Sequence, residues 1–412
     1  MVMRMSTFGQ FVHQSSYISK EFDKMGKLMQ QAESGKKLLR SSDDPVLANQ
    51  IKSKQDFINT LQGYSDNGLI AQSRSSILNI SAQSAGNIVG QINTLIKQAQ
   101  DGTKSDADRL TISKQLQGSL ASLINLANTQ DANGQYIFSG SNPSSPAYMQ
   151  INGQYQYQGA DSSSINIAPG ISTIYGESGY HVFGDTYTGN GTFTVSASNT
   201  NTGTAFTTPG SVVNSSAYVA DTYTLSFGTN GAGNLVYQIV GATSGQVVPA
   251  LPATFPAGAP VYQSGADINF NGISVNINGE PAVGDTFQIQ PSTKQDVFDS
   301  TQSLIDLLKN PVTNKGQFNQ AINQLAASFD QIESHLSAYI SEGGTRSATI
   351  DTQVATNKTL MTSQVTTLSN LEDIDLPQIY SAISQQSLVL QATQEGYLKM
   401  QDVLSKLLQL QF

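Results

Sequence analysis

The sequence predicts an α+β fold: a nested rod in which long terminal α-helices, paired as a coiled coil or bundle, enclose a helical layer with small β elements, and that layer encloses an inserted all-β domain. Three observations predict it. On a seven-residue grid Leu376, Ile379, Ile383, Leu390, Tyr397, Met400, Leu404 and Leu407 fall on one seam, broken at Gln386 and Thr393. The opening of the chain carries a matching seam of Phe8, Phe11, Ile18, Phe22, Met25, Met29 and Ala32, broken at Ser15. Inward from both ends the apolar residues keep helical spacing, and between them, over about 185–291, they alternate as strands do. An apolar stripe on a helix is usually one face of a closed core. Here both terminal segments are amphipathic and neither adjoins a compact domain, so each seam is expected to pair with the other. The domains expected are 1–40 with 374–412 as a helical coiled coil, 41–184 with 292–373 as a helical bundle with short hairpins, and 185–291 as the all-β insert.

The elements follow in order. Gly35 suits the end of the first helix, and Asp44-Pro45 starts the next, the carboxylate capping free N–H groups and proline taking the first helical position. Residues 46–100 read as helix, with Ile77, Leu78, Ile88, Val89, Ile92, Leu95 and Ile96 as the apolar side, until Asp101-Gly102 breaks it. A further helix over about 106–129 keeps Ile112, Leu116, Leu120, Leu123 and Ala127 in register. Then 135–140 reads as a short strand and 148–157 as a hairpin turning at Asn152-Gly153. Ile165, Ile167, Ile171 and Ile174 extend this excursion, which is too small to stand alone and should lie on the helices around it. In the insert, Tyr223, Leu225 and Phe227 share one strand face and Leu235, Tyr237 and Ile239 another; Asn271-Gly272 turns the clearest hairpin. Helix resumes at Val297, with Phe318, Ile322, Leu325, Phe329, Ile332 and Leu336 in register, and is expected to run on to the terminal stretch, loosened at Gly343-Gly344. The insert enters and leaves near Asp185 and Pro291 and is expected to be dispensable for the rest.

Composition excludes several functions. Charged residues are only 12% of the chain and the net charge is −9 with no basic cluster, which argues against nucleic acid and suits close packing of copies against each other. There is no cysteine, hence no disulfide, thiolate metal site or cysteine nucleophile. The opening residues lack the apolar core of a secretory signal peptide, and no apolar run is long enough for membrane insertion. Alone, this points to the cytosol, although export routes that cleave no signal leave no such mark. His13, His181 and His335 lie far apart in sequence, and no pair has metal-ligand spacing. Asp43 and Asp44 fit a capped turn better than a metal or acid–base pair. Gly189-Asn190-Gly191 and Gly231-Ala232-Gly233 fit β turns better than phosphate cradles. Aromatic residues of the insert fit a sandwich core better than a glycan-binding face. No catalytic residue, cofactor site or metal site is expected, and no enzyme.

Two motifs then carry a family resemblance. Ser41-Ser42-Asp43-Asp44-Pro45-Val46-Leu47-Ala48 and Asn133-Gly134-Gln135-Tyr136-Ile137-Phe138-Ser139-Gly140-Ser141, set in this nested layout, resemble the flagellin superfamily. Pro45, where flagellins usually show alanine, and the run through Gln135, Tyr136, Phe138 and Gly140 are more similar to the hook–filament junction members than to filament flagellins. The stretches 264–273 and 284–287 resemble the end of that group's β insert; 190–260 is weakly similar. The resemblance implies a structural adaptor, exported unfolded by the flagellar type III apparatus and located outside the cell on the flagellum. Its implied partners are hook-associated protein 1, flagellin, further copies of itself in a ring, and a cytoplasmic export chaperone that holds the C-terminal region. The implied assembly interface is the pair of terminal seams. A short flagellin, or an adhesin acting through the insert, are the competing readings. Polar breaks at Ser15, Gln386 and Thr393 also predict terminal helices that are marginal alone and fold on assembly.

Overall fold

The computed structural model describes residues 7–409, with the side chains of Thr7, Phe8, Gln10, Phe11, Leu404 and residues 407–409 outside that description. Among the described residues six α-helices run in the order α1 (Thr7–Ser34), α2 (Pro45–Ala99), α3 (Asp106–Ala127), α4 (Val297–Lys309), α5 (Lys315–Glu372) and α6 (Leu376–Gln409). Contacts divide the chain into two compact units, residues 1–66 with 353–412 and residues 67–352, and α2 and α5 supply residues to both.

The first unit holds the antiparallel pair α1 and α6 with the start of α2 and the end of α5. Asp44 accepts hydrogen bonds from the Val46 and Leu47 amides at 3.0 Å each, and Pro45, with no N–H to leave unpaired, opens α2. Gly35 takes φ +70° after α1, so that its carbonyl accepts from the Ile374 amide at 3.0 Å. The last third of α5 is rich in threonine, a poor helix former. Thr359, Thr362, Thr366 and Thr367 each return their hydroxyl to the carbonyl four residues earlier, which satisfies the side chain without breaking the helix.

In the second unit a continuous apolar core joins Leu78, Val89, Ile92 and Ile96 of α2, Leu116 and Leu123 of α3, Leu304 and Leu308 of α4, and Ile322, Phe329 and Leu336 of α5. Ser105 and Asp108 cap each other's backbone N–H at the start of α3, and Asp296 accepts from the Asp299 amide at 2.7 Å at the start of α4. A β excursion lies on these helices: β1 (Tyr148–Ile151) pairs with β2 (Gln154–Tyr157), and β3 (Ser163–Ala168) with β4 (Ile171–Gly176). Its rings close the core, with Tyr148 4.6 Å from Phe298 and Phe138 5.1 Å from Phe183. Residues 135–140, expected as a strand, are instead a series of turns with single bridges at Tyr136 and Ser139, because Gly134 and Gly140 take φ +74° and +60°.

A π-helical turn (Tyr180–Gly184) leads to the β-rich stretch. Its strands are β5 (Thr186–Tyr187), β6 (Phe193–Ala197), β7 (Phe206–Thr207), β8 (Ser211–Val212), β9 (Tyr223–Thr229), β10 (Leu235–Gly241), β11 (Gly245–Val248), β12 (Asp267–Phe270), β13 (Ile273–Asn278), β14 (Thr286–Pro291) and β15 (Lys294–Gln295). One sheet has the order β11-β10-β9-β14-β6; a second is β12-β13-β7 with β8 also on β13; β5 pairs with β15 where the stretch begins and ends. Alternate residues Tyr223, Leu225 and Phe227 face a second core with Ile239, Val275, Ile277, Phe287 and Ile289. Asn152-Gly153 and Asn271-Gly272 take positive φ at both positions, the geometry a two-residue hairpin demands.

One expectation of α5 needs correction. Helix α5 is not loosened at Gly343-Gly344; it is continuous, and a Cβ at Gly343 would stand 2.0 Å from the Asn79 side chain, so glycine there permits close approach of α2 and α5. The β-rich stretch is also bonded to α5 and the segment before it. The Gln320 side chain of α5 accepts from the Thr207 amide (2.6 Å) and hydroxyl (2.8 Å) and donates to the Val195 carbonyl. Asn314 and Ser328 of the same segment bond to Gly203 and Gly189.

Candidate assembly interface

In the α1–α6 pair, Met25 is buried (9% exposed), while Ile18, Ile379, Ile383, Leu390, Tyr397 and Met400 are half-buried. Phe22 and Met29, expected on the seam, are half exposed (51% and 49%). The less exposed line of α1 keeps heptad spacing through Ile18, Glu21, Met25, Leu28 and Ala32, so Glu21, which meets Gln386, and Leu28 take the places expected of Phe22 and Met29. The side chains of Phe8, Phe11, Leu404 and Leu407 lie outside the described residues. Gln386, which looked like a break in the seam, is its polar centre. Its amide donates to the carboxylate of buried Glu21, which also accepts from Lys24 at 2.8 Å, and these bonds, Lys24 first, hold the Glu21 carboxyl below the usual carboxylate range. A groove of about 730 Å³ follows the pair, lined by His13, Gln14, Tyr17, Val389, Ala392, Thr393 and Met400. Leu388, Leu398, Val403 and Tyr380 of α6 are exposed, so the pair carries more apolar surface than its own contact covers.

The two sequence motifs are folding devices. Asp43 pairs with Lys27 at 3.1 Å and accepts from the Arg40 amide, closing the turn that Asp44 and Pro45 convert into α2. Gln135 of the second motif and Asp131 just before it accept from the guanidinium of buried Arg74, which lies 4.0 Å over the Tyr175 ring. The Tyr136 amide donates to the Pro143 carbonyl at 2.9 Å, and Phe138 is fully buried. A Cβ on Gly140 would meet the Ala160 carbonyl oxygen at 2.1 Å, so only glycine fits.

The histidines, far apart in sequence, do not all stay apart. The His181 and His335 rings are 6.2 Å apart, edge to face, and His335 Nε2 contacts the His181 carbonyl at 2.8 Å. Beside them Glu177 is fully buried and bonds Arg346, Tyr339 and Ser162 at 3.0 Å each. Burial alone would raise its carboxyl; His181, Arg346 and Ser162 outweigh that and hold it below the usual range. Among the described residues no three His, Cys, Asp or Glu side chains could hold a metal ion, and no helix is long and apolar enough to cross a membrane. Arg74, Glu177, Gln320 and Glu21 escaped the sequence reading, since their partners lie tens to hundreds of residues away; Gln386 alone left a signal, by its place on the heptad grid.

Residues 6–143 match the bacterial flagellin N-terminal helical region. The chain belongs to the flagellin superfamily. Within it the likeness is to flagellar hook-associated protein 3. A structure of that protein from Legionella pneumophila is 32% identical, with a TM-score of 0.75, over 78% of this chain and 98% of the other. A flagellar junction protein of the same organism is 34% identical, with a TM-score of 0.68, over 74% and 99%. Flagellar hook-associated protein 3 of Salmonella typhimurium is 30% identical over 44% of this chain, and the match spans 57% of that relative's own length. These are structural flagellar proteins and not enzymes.

Proposed function

We propose that this chain is a structural subunit of the bacterial flagellum, placed outside the cell at the junction of hook and filament. In this reading it joins hook-associated protein 1 to flagellin as a ring of identical subunits, after type III export helped by a cytoplasmic chaperone. The observation that carries it is the α1–α6 pair: its seam buries Met25 and the Glu21–Gln386 contact but leaves Phe22, Met29, Leu388 and Leu398 exposed on the outer faces. Neighbouring subunits would cover those faces and complete the folding of the terminal helices. The low charge of the chain lets copies pack around one axis without accumulated repulsion.

The test is Leu390→Asp in a strain lacking the native gene. A carboxylate facing a helix interface loses hydration without gaining a partner, so the variant should keep a folded β-rich stretch yet fail to enter the junction. Cells would then swim poorly and shed flagellin into the medium. Normal motility with Leu390→Asp would refute the seam assignment.

A further inference from the structure

The chain has no cysteine, and seven of its eight methionines, all but Met149, fall in residues 1–66 and 353–412, less than a third of its length. Three of them stand on or beside the α1–α6 pair: Met25 is buried in the seam, Met29 lies half exposed one turn later, and Met400 lines the groove. The register is antiparallel, with Glu21 against Gln386 and Gln14 against Gly396, so Met25 is level with the turn that carries Ile383. A thioether fills an uneven seam between two helices well. Its sulfoxide does not: the new S=O dipole needs a hydrogen-bond donor, and in this seam the nearest polar device, Gln386, is already committed to Glu21.

We propose that Met25 is a reversible oxidation site through which hydroperoxides open the α1–α6 pair of the unassembled subunit. The thioether sulfur attacks the terminal oxygen of the hydroperoxide and the O–O bond breaks; that oxygen becomes the sulfoxide, its proton passes to the other oxygen, which leaves as water from hydrogen peroxide or as an alcohol from an organic hydroperoxide, and sulfur gives up two electrons. Fraying of the pair admits the oxidant, and burial by neighbours after assembly excludes it. Loss of joining competence on oxidation rests on the function proposed above; opening of the helix pair does not.

The test treats the isolated full-length subunit with hydrogen peroxide, maps sulfoxides by peptide mass spectrometry, and follows millisecond hydrogen exchange through α1 and α6. Met29 and Met149, exposed to nearly the same degree at 49% and 48%, should convert together, with Met25 following. Exchange in both helices should rise on the order of tenfold only as Met25 converts, and methionine sulfoxide reductase should reverse it. Met25→Leu should keep its protection at a dose that fully converts Met149. The proposal fails if the untreated helices show no protection, if Met25 stays reduced once Met149 is fully converted, if its sulfoxide leaves exchange unchanged, or if Met25→Leu loses protection on oxidation as well. Reduced subunits that keep α1–α6 protected yet never join a hook would instead overturn the assembly reading and leave the oxidation result standing.

Discussion

Gly140→Ala should unlock the β excursion from its helices. At φ +60° an alanine costs about 1–2 kcal/mol from its own backbone alone. The new Cβ would also stand 2.1 Å from the Ala160 carbonyl oxygen and 2.5 Å from that of Asp161, both backbone atoms that no rotamer change can move. Relief requires the two chain segments to part, which strains the Ser141 amide bond to Asp161 (3.0 Å), the Ala160 amide bond to Ser139 (3.1 Å) and the Gly140 amide bond to Glu177 (2.9 Å). Losing two of the three at about 1 kcal/mol each brings the total to roughly 3–4 kcal/mol. Gly134 supplies the control, since it also has a positive φ, +74°, but nothing lies within 4 Å of its Cβ position. Gly134→Ala should therefore cost only about 1–2 kcal/mol. Native-state hydrogen exchange of amides 136–160 reads the difference directly: a few hundredfold faster opening for Gly140→Ala, against roughly tenfold for Gly134→Ala. Equal effects from the two variants would refute this, by showing that the close approach of the two segments does not depend on the missing Cβ.

Three further outcomes are expected. Burial pushes the Asp296 carboxyl up to about 6, so the folded chain keeps a proton that the unfolded chain releases near its ordinary value of 3.8, and stability falls as pH rises through that window. Asp296→Asn, an equally good helix cap, should melt higher than the parent at pH 7.5, by up to roughly 3 kcal/mol in stability, and equal it near pH 3.5, as followed by circular dichroism. Gln320→Ala should strand the Thr207 amide and the Val195 carbonyl in a buried setting, costing about 1–3 kcal/mol and raising exchange in β6 and β7 while α3 is unaffected. Limited proteolysis of the unassembled subunit should trim both terminal helices before it reaches residue 67; ends that resist in a proven monomer would show that neighbours are not needed to complete their folding.

What the sequence disclosed and what it hid divide along a physical line. Signals that act within a few residues were legible: Asp44 and Pro45 open α2 as read, both Asn-Gly turns close their hairpins, and alternation placed Tyr223, Leu225 and Phe227 on one buried face. Heptad spacing found the terminal helices but placed Phe22 and Met29 where Glu21 and Leu28 are the less exposed pair, because a buried carboxylate does not count toward an apolar grid. Polar contacts between distant segments were invisible, since glutamine, glutamate and arginine have the same letters whether they face water or each other. Gln386 was taken for a flaw, and Gln320, Glu177 and Arg74 passed unnoticed.

Those hidden contacts share one property. Glu21 with Gln386, Thr207 with Gln320, Asp131 and Gln135 with Arg74, and Glu177 with Arg346 each fix one element against another at a single position. An apolar seam slides by a turn at little cost, whereas a buried carboxylate moved off its donor loses its partner and stays dehydrated, so each contact narrows the register without lengthening the core. A chain in which charged residues are only 12% of the total thus spends several of them inside. For a subunit that must present the same helix faces to every neighbour, a defined register matters more than the last increment of stability. Gln386→Leu separates the two quantities. It removes the donor and fills one of the two polar breaks of the heptad, Thr393 being the other, and Glu21 keeps only Lys24. If the argument holds, helix content is retained while disulfide trapping between cysteines introduced on α1 and α6 reports several registers in place of one. A single trapped register in Gln386→Leu would mean that apolar packing alone sets the alignment.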